Sequence, residues 1–582
     1  MSQVSIYEKY KAWTKSSYFD QETREELLDL HDQKELEDRF YTDLEFGTGG
    51  MRGILGAGTN RMNKYVIRKV TQGLADTIKE QGAEACHRGV VIAFDSRRYS
   101  AEFAMETALV LAANGIKAYV FDSLRPTPEL SFAVRFLHTI AGVNITASHN
   151  PKNYNGYKVY WEDGGQIPPH KAKMIVEKIS RQRGWEITVL SEEEAEKQGL
   201  VLRVGEEIDK AYFLEIKKQL LFPELAKEHG KNLKIVYTPL HGTGGRPVQK
   251  VLEETGFTSF FIVPEQEKPD GEFSTVESPN PEDSRAFQLA LDYAERQCAD
   301  IVLATDPDAD RLGLYAKQEN GEYRRFTGNE IGILLEYYLL TQKKKMGQLQ
   351  ADAIIIKTIA STDLGEKIAD QFGVKMVNVL VGFKYIGEQI KDMEEKGWGT
   401  YLFGFEESFG YLAGTYARDK DAVEASALLS EAALHYLLKE GKTLPAVLEE
   451  IFLLCGYYKE DQTAISLQGK AGKERIDRIM DYLRTLKPNC IGEQTVGSIE
   501  DYLVSRRFIL NENREEPIDL PQENVIRFSF RGGGFVMARP SGTEPKVRFY
   551  FCIRGDSGSD LDDRMARVKK DFLGSIQELI KM

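Results

Sequence analysis

The stretch Ala141-Gly142-Val143-Asn144-Ile145, followed by Thr146-Ala147-Ser148-His149-Asn150-Pro151-Lys152, decides the fold. The first five residues form an apolar run that reads as a buried strand. Asn-Pro is a turn signal that closes the loop behind it. A strand therefore stops, and a small, polar, sharply turned loop presents one serine. In open α/β sheets ligands gather at the carboxyl ends of strands, which is where this loop falls. Ser148, next to a histidine and near a lysine, is a candidate nucleophile; an ordinary polar turn is the plain alternative.

Outward from this stretch, residues 90–94 and 116–121 are predicted strands, with a helical segment at 101–114 between them. That is a βαβ rhythm, so the sheet is expected to be mostly parallel. Residues 156–160 return as a strand carrying Lys158, near enough in sequence to reach the same site. Upstream, residues 1–44 read as helices, with Thr23 and Glu26 fitting a capping box. Next comes Phe46-Gly47-Thr48-Gly49-Gly50-Met51-Arg52-Gly53. Its spacing fits neither a dinucleotide fingerprint nor a Walker loop. Glycines here let backbone approach a ligand closely, and Arg52 is expected to hold an anion by a charge-assisted bond.

The chain has 582 residues, which at about 150 per domain suggests about four domains. Its net charge of -14 argues against a general affinity for nucleic acid or anionic membrane. Five scattered cysteines without a C-x-x-C pair argue against a disulfide framework or zinc site and for a reducing compartment. The first residues lack the apolar core of a secretory signal, and no apolar run is long enough to cross a bilayer. A cytoplasmic location is the expectation.

Downstream, the charge-rich stretch 181–212 reads as a boundary, and residues 233–237 open a second α/β unit. His241, among glycines, reads as a hydrogen-bonding turn residue. The short strand 301–304 runs into Thr305-Asp306-Pro307-Asp308-Ala309-Asp310-Arg311. Like charges at this spacing repel, and an all-oxygen ligand set selects a hard divalent ion such as Mg²⁺. An EF-hand fails, because Arg311 and Lys317 stand at its sixth and twelfth positions. A haloacid-dehalogenase-type nucleophile loop fails at Asp310, which fits a third metal ligand better.

A third unit has a helix at 331–340 and strands at 353–357, 374–379 and 400–405. The last runs into Gly404-Phe405-Glu406-Glu407-Ser408, where Glu406 and Ser408 suit sugar hydroxyls. Arg418-Asp419-Lys420-Asp421 reads as added positive charge ahead of a helix at 425–438. Residues 456–475 read as a linker or domain edge. Strands at 525–530, 534–539 and 546–553 suggest an antiparallel sheet. The loop Arg539-Pro540-Ser541-Gly542-Thr543 reads as a phosphate cradle. Leu561, Met565, Val568, Phe572, Ile576 and Leu579 form a helical core stripe.

The loops at Ser148, Asp306, Glu406 and Arg539 thus fall about one per domain-sized unit. In their order and wording they resemble the four signature loops of the α-D-phosphohexomutase family. The glycine-rich opening at Phe46 is most similar to bacterial α-phosphoglucomutases of the long, phosphopentomutase-related branch. The resemblance implies an α/β fold, with three tandem related α/β domains and a smaller C-terminal α+β domain around a central cleft. The boundaries expected are 1–44 for a helical extension, then 45–208, 209–324, 325–455 and 456–582.

It further implies that Ser148 carries a phosphoryl group, and that Mg²⁺ is bound by Asp306, Asp308, Asp310 and an oxygen of that phosphoserine. His149, Lys158 and Lys420 would lie near the reacting hydroxyl, and Arg52 and Arg311 near the phosphoserine. Glu406 and Ser408 would bind sugar hydroxyls. Arg539, Ser541, Gly542, Thr543 and Arg548 would hold the non-reacting phosphate. The implied reaction interconverts glucose 1-phosphate and glucose 6-phosphate through glucose 1,6-bisphosphate, with a small phosphosugar as the binding partner. Pentose or mannose phosphate turnover, and a Mg²⁺-dependent phosphohydrolase, are the alternatives that the loops leave open.

Overall fold

The apolar run ending at Ile145 is a strand buried at every position in a computed structural model of the chain, which describes residues 3–47, 49–182, 184–467, 469–541 and 546–581. The first sheet contains β1 (Gly50–Ile54), β2 (Val90–Phe94), β3 (Ala118–Phe121), β4 (Ala141–Ile145), β5 (Tyr154–Trp161) and β6 (Val201–Val204). Their order is β1-β5-β4-β2-β3-β6. The strands from β4 through β2 and β3 to β6 are parallel, while β5 runs antiparallel to both of its neighbours, β4 and β1. Burial on both faces explains why β2 and β4 read as continuous apolar runs. The parallel rhythm holds for the centre of the sheet, and the Ser148 loop is the turn between β4 and its antiparallel return β5.

The second sheet repeats this plan. It contains β7 (Ile235–Thr238), β8 (Phe260–Ile262), β9 (Ile301–Thr305), β10 (Leu312–Lys317) and β11 (Tyr323–Arg325), in the order β11-β10-β9-β7-β8. β7 is parallel to β8 and β9, and β10 returns antiparallel to β9. The Asp306 loop is the turn between β9 and β10, the same place that Ser148 occupies in the first sheet. In the third unit β12 (Ala353–Thr358) is parallel to both β13 (Lys375–Val379) and β14 (Thr400–Glu406). The Glu406 loop leaves the end of β14 and leads to β15 (Gly410–Ala413).

The C-terminal sheet contains β16 (Tyr457–Ser466), β17 (Cys490–Ile491), β18 (Gln494–Asp501), β19 (Arg506–Ile509), β20 (Arg514–Pro517), β21 (Ile526–Phe530), β22 (Gly534–Pro540) and β23 (Lys546–Gly555). It is antiparallel, in the order β16-β23-β22-β21-β18-β19-β20, with β17 on β18. Met565, Val568 and Phe572 of the predicted stripe pack into its core together with Ile479, Met480 and Leu483. The expected linker at 456–475 is instead the edge strand β16 and the start of the helix Gly469–Thr485. One edge of β16 pairs along its full length with β23, which holds a polar sequence in a strand.

By its internal contacts the chain divides into two compact units. One comprises residues 1–327, 386–397 and 408–441; the other comprises 328–385, 398–407 and 442–582. Three N-terminal helices, Gln3–Lys15, Gln21–Leu28 and Gln33–Phe40, belong to the first unit. They are tied down by an aromatic cluster in which Trp13 meets Phe19, Phe40, Tyr65 and Trp185. The capping box expected at Thr23 is not formed. Asp20 caps that helix by accepting from the Thr23 amide at 2.7 Å, and Glu26 instead accepts from the Ala57 amide.

Trp13 is fully buried, so Trp13→Ala is expected to cost about 3–5 kcal/mol, read as a lower denaturant midpoint. Trp13→Phe should cost less, because the buried Trp13 Nε1 has no partner among the described residues. Equal losses for the two would contradict this packing account.

Candidate active site

The Ser148 loop is held in shape by hydrogen bonds to its backbone. Ser148 adopts a left-handed backbone conformation, with φ of 51°, which costs a non-glycine residue about 1–2 kcal/mol. The Thr146 hydroxyl accepts from the Ser148 amide at 2.8 Å. Arg97, at the carboxyl end of β2, donates to the carbonyls of Ser148, Asn150, Pro151 and Tyr154. The Ser148 hydroxyl lies 2.7 Å from Asp306 Oδ2 and 3.1 Å from His149 Nδ1.

Asp306, Asp308 and Asp310 are all buried, with carboxylate oxygens within 4.8 Å of one another. Lys158 Nζ is 2.7 Å from Asp308 and 3.4 Å from Asp310, and Lys420 Nζ is 3.1 Å from Asp310. The Thr127 hydroxyl donates to Asp308 Oδ2 at 2.8 Å, and the amides of Asp310 and Arg311 donate to Asp306 Oδ1. Asp308 Oδ1 and Asp310 Oδ1 are buried without a hydrogen-bond partner among the described residues. Orphaned carboxylate oxygens in an all-oxygen cluster are what a hard divalent cation would satisfy, so these residues fit a metal.

The electrostatics follow from this crowding. Burial, then Asp308 and Asp310, push the Asp306 carboxyl far above its ordinary range. Burial alone would raise Asp308 too, but the Lys158 ammonium and the Thr127 hydroxyl hold it below that range. Burial works against the charge on Lys158, and Asp308 and Asp310 more than offset it.

The glycine-rich turn after β7 supports this loop from behind. A Cβ on Gly242 would stand 2.4 Å from Pro307 Cα, and the Thr243 amide donates to the Pro307 carbonyl at 2.8 Å. His241 is a turn residue as expected, bonded to the Lys268 carbonyl and the Thr275 hydroxyl. Gly50, among the glycines before Arg52, has a packing role of its own. Gly50 pairs with Lys158 across β1 and β5, and a Cβ on it would meet the Tyr157 carbonyl at 2.0 Å. Arg52 reaches Asn150 Oδ1 at 3.0 Å, and Arg311 pairs with Glu282 and lies 3.9 Å from Asp310. Arg418, read in sequence as added charge, is buried and paired with Glu394, so it is structural.

In the second unit Glu406 is buried at the end of β14. Its neighbour Glu407 accepts from the Thr358 hydroxyl at 2.7 Å, and burial together with Glu406 pushes its carboxyl up to about 7. Arg539 and Arg548 stand directly opposite on β22 and β23, a like-charge pairing that is unfavourable without an anion or counter-charge. Glu523 supplies part of that charge, 2.9 Å from Arg539. The Ser541 amide donates to the Lys546 carbonyl. Gly542 and Thr543 lie outside the described residues. Ser408 belongs to the first unit, where the next residue, Phe409, accepts from the Leu312 amide at the start of β10.

Three family models match in series. They describe the phosphoglucomutase/phosphomannomutase α/β/α domains I, II and III, and match residues 43–184, 210–321 and 327–453. The chain belongs to the phosphoglucomutase/phosphomannomutase family. It is 39% identical to a phosphoglucomutase of Staphylococcus haemolyticus over 90% of this chain and 92% of the relative. It is 37% identical to one of Staphylococcus aureus strain MRSA252, over 92% and 94%. The fold matches a phosphoglucomutase/phosphomannomutase family protein from Burkholderia thailandensis at a TM-score of 0.65 and 19% identity, covering 92% of this chain and 97% of that one. It also matches the pp63/parafusin phosphoglucomutase of Paramecium in its open form, at 0.66 and 17%, covering 93% and 96%. As a phosphohexomutase the chain is an intramolecular phosphotransferase with three tandem α/β/α domains and a β-rich C-terminal domain. The family uses a metal ion, and the buried triad has the donors that such an ion requires.

Sequence reading missed Arg97, Thr127 and Glu407. The Asp95-Ser96-Arg97 segment directly behind a buried strand was a signal for the first. Thr127 gave none, because its partner Asp308 is distant in sequence.

Asp306 binds a proton more tightly in the folded than in the unfolded chain, so metal-free stability falls as pH rises from the unfolded carboxyl range toward neutrality. Asp306→Asn is therefore expected to raise the melting temperature of the chelated protein at pH 7. It should also lose the stabilisation that a divalent cation gives the wild type. A lower melting temperature in chelator would contradict the repulsion described.

Proposed function

We propose that this chain is a phosphoglucomutase that interconverts α-D-glucose 1-phosphate and glucose 6-phosphate through phosphorylated Ser148 and glucose 1,6-bisphosphate. One observation carries the reading: the Ser148 hydroxyl stands 2.7 Å from Asp306 in a buried triad of carboxylates. Relatives 37–39% identical over about nine-tenths of the chain bear the phosphoglucomutase name, which supports glucose as the sugar.

In the forward direction the phosphoryl group leaves the Ser148 Oγ as a sugar hydroxyl attacks. The P–Oγ bond breaks, the P–O(sugar) bond forms, and the hydroxyl's proton goes to His149 or Lys420, because Asp308 and Asp310 keep Lys158 as an ammonium. The second transfer runs in reverse from the other phosphate of the bisphosphate, restoring phosphoserine. His149 Nδ1, beside the Ser148 hydroxyl, is placed to handle that oxygen's proton. Mg²⁺ held by Asp306, Asp308, Asp310 and an oxygen of phosphorylated Ser148 would neutralise charge on the group in transfer. Lys158 adds positive charge beside it, and Arg52 and Arg311 would face the phosphoserine. Glu406 and Ser408 bind sugar hydroxyls. Arg539, Ser541, Gly542, Thr543 and Arg548 hold the non-reacting phosphate, which accounts for two arginines facing each other across a sheet. The enzyme is placed in the cytoplasm, where five free thiols stay reduced. Among the described residues no helix is long and apolar enough to cross a membrane.

The test is a coupled assay for glucose 6-phosphate from glucose 1-phosphate with Mg²⁺, with and without trace glucose 1,6-bisphosphate. Product stimulated by the bisphosphate and reduced at least about 10³-fold in Ser148→Ala is expected. Faster turnover of mannose 1-phosphate or ribose 1-phosphate would change the sugar but keep the mechanism. Free phosphate without sugar isomerisation would point to a hydrolase instead.

A further inference from the structure

The strap 268–278 ties the His241 turn of the second α/β unit to the nucleophile loop of the first. At one end His241 Nδ1 donates to the Lys268 carbonyl at 3.2 Å and Nε2 accepts from the Thr275 hydroxyl at 2.8 Å. The Asp270 amide donates back to the His241 carbonyl. At the other end the Ser278 hydroxyl donates to the His149 carbonyl at 3.3 Å, and Glu272 pairs with Arg98 and Lys152. Asp270 stiffens the middle by accepting from the amides of Glu272 and Ser274. At its centre Phe273 is 1% exposed and holds a left-handed φ of 46°. A large apolar residue keeps such a conformation where its surroundings impose it.

The face of that ring lies 5.0 Å from the Arg97 guanidinium, within the range of an attractive cation–π contact. Arg97 is buried, paired with Asp95 at 3.3 Å, and donates to the four carbonyls around Ser148. The Ser148 φ of 51° is thus held by a guanidinium whose own face is covered by Phe273.

We propose that Phe273 is a positioning residue for phosphoryl transfer: its ring fixes the Arg97 guanidinium, which in turn sets the backbone that aims Ser148 at its substrate and at Asp306. The proposal rests on the mutase reading of this site and assigns the strap, including the lone His241, a role in it. Phe273 touches no reacting atom. Its contribution lies in geometry, where misplacement by about 1 Å can cost a factor of about 10² in rate.

The test compares wild type, Phe273→Leu and Phe273→Ala in the glucose 1-phosphate assay, with amide hydrogen exchange of residues 147–150 measured in parallel. Leucine keeps an apolar side chain and removes the ring face. The expected result is a kcat about 10- to 100-fold lower for Phe273→Leu, a KM for glucose 1-phosphate within about twofold of wild type, and faster exchange across 147–150. Phe273→Ala should go further in the same direction. A Phe273→Leu kcat within twofold of wild type, or unchanged exchange across 147–150, overturns the proposal. A wild type that does not isomerise phosphosugars sinks the mutase reading instead, and the exchange readout still reports whether Phe273 holds the loop.

Discussion

Three carboxylates confined to one buried turn repel one another, and much of the first unit answers that repulsion. Lys158 comes from the strand that returns after the Ser148 loop, Lys420 from the segment ahead of the helix Ala422–Glu440, and Thr127 from the start of the helix Thr127–Phe136. Each is far from Asp308 in sequence, so the chain must fold before the charges are met. Two carboxylate oxygens remain unmatched among the described residues. A divalent cation would satisfy both, which would tie metal binding to the stability of this region.

The same topological position is used again and again. A central strand ends, a short turn follows, and the chain leads into another strand. In the first sheet the turn carries Ser148, in the second the carboxylates, and in the third Glu406. Each turn holds one non-glycine residue in the left-handed region: Ser148, Ala309 and Phe409. Sharp reversal presents side chains and amides at the strand's carboxyl end, where neither helix nor sheet consumes them. This recurrence gives physical content to three tandem related domains.

Much of this was legible in the sequence. The strands 90–94 and 141–145 are continuous apolar runs, which only burial on both faces explains, and both form as expected. The aspartate loop could be read because like charges at that spacing need a cation. What the sequence concealed depends on distance or on edges. Arg97 acts through four carbonyls and an aromatic ring brought to it by folding. Tyr457–Ser466 hides as a polar stretch because one edge of a strand suffices to hold it. Thr23 and Glu26 satisfy a capping pattern, but Asp20 makes the actual cap. The close approach of the Tyr157 carbonyl to Gly50 was likewise hidden, because β5 lies far along the chain from it.

The account stands on Ser148 as the atom that carries phosphate between sugars. The most direct measurement is mass-spectrometric mapping of phosphate on the protein after brief incubation with glucose 1,6-bisphosphate, followed by a chase with glucose 1-phosphate. The account predicts a single phosphate on the peptide containing Ser148, removed by the chase and recovered in sugar bisphosphate. Phosphate on another residue, or loss to water at the same rate with and without the sugar, would contradict it.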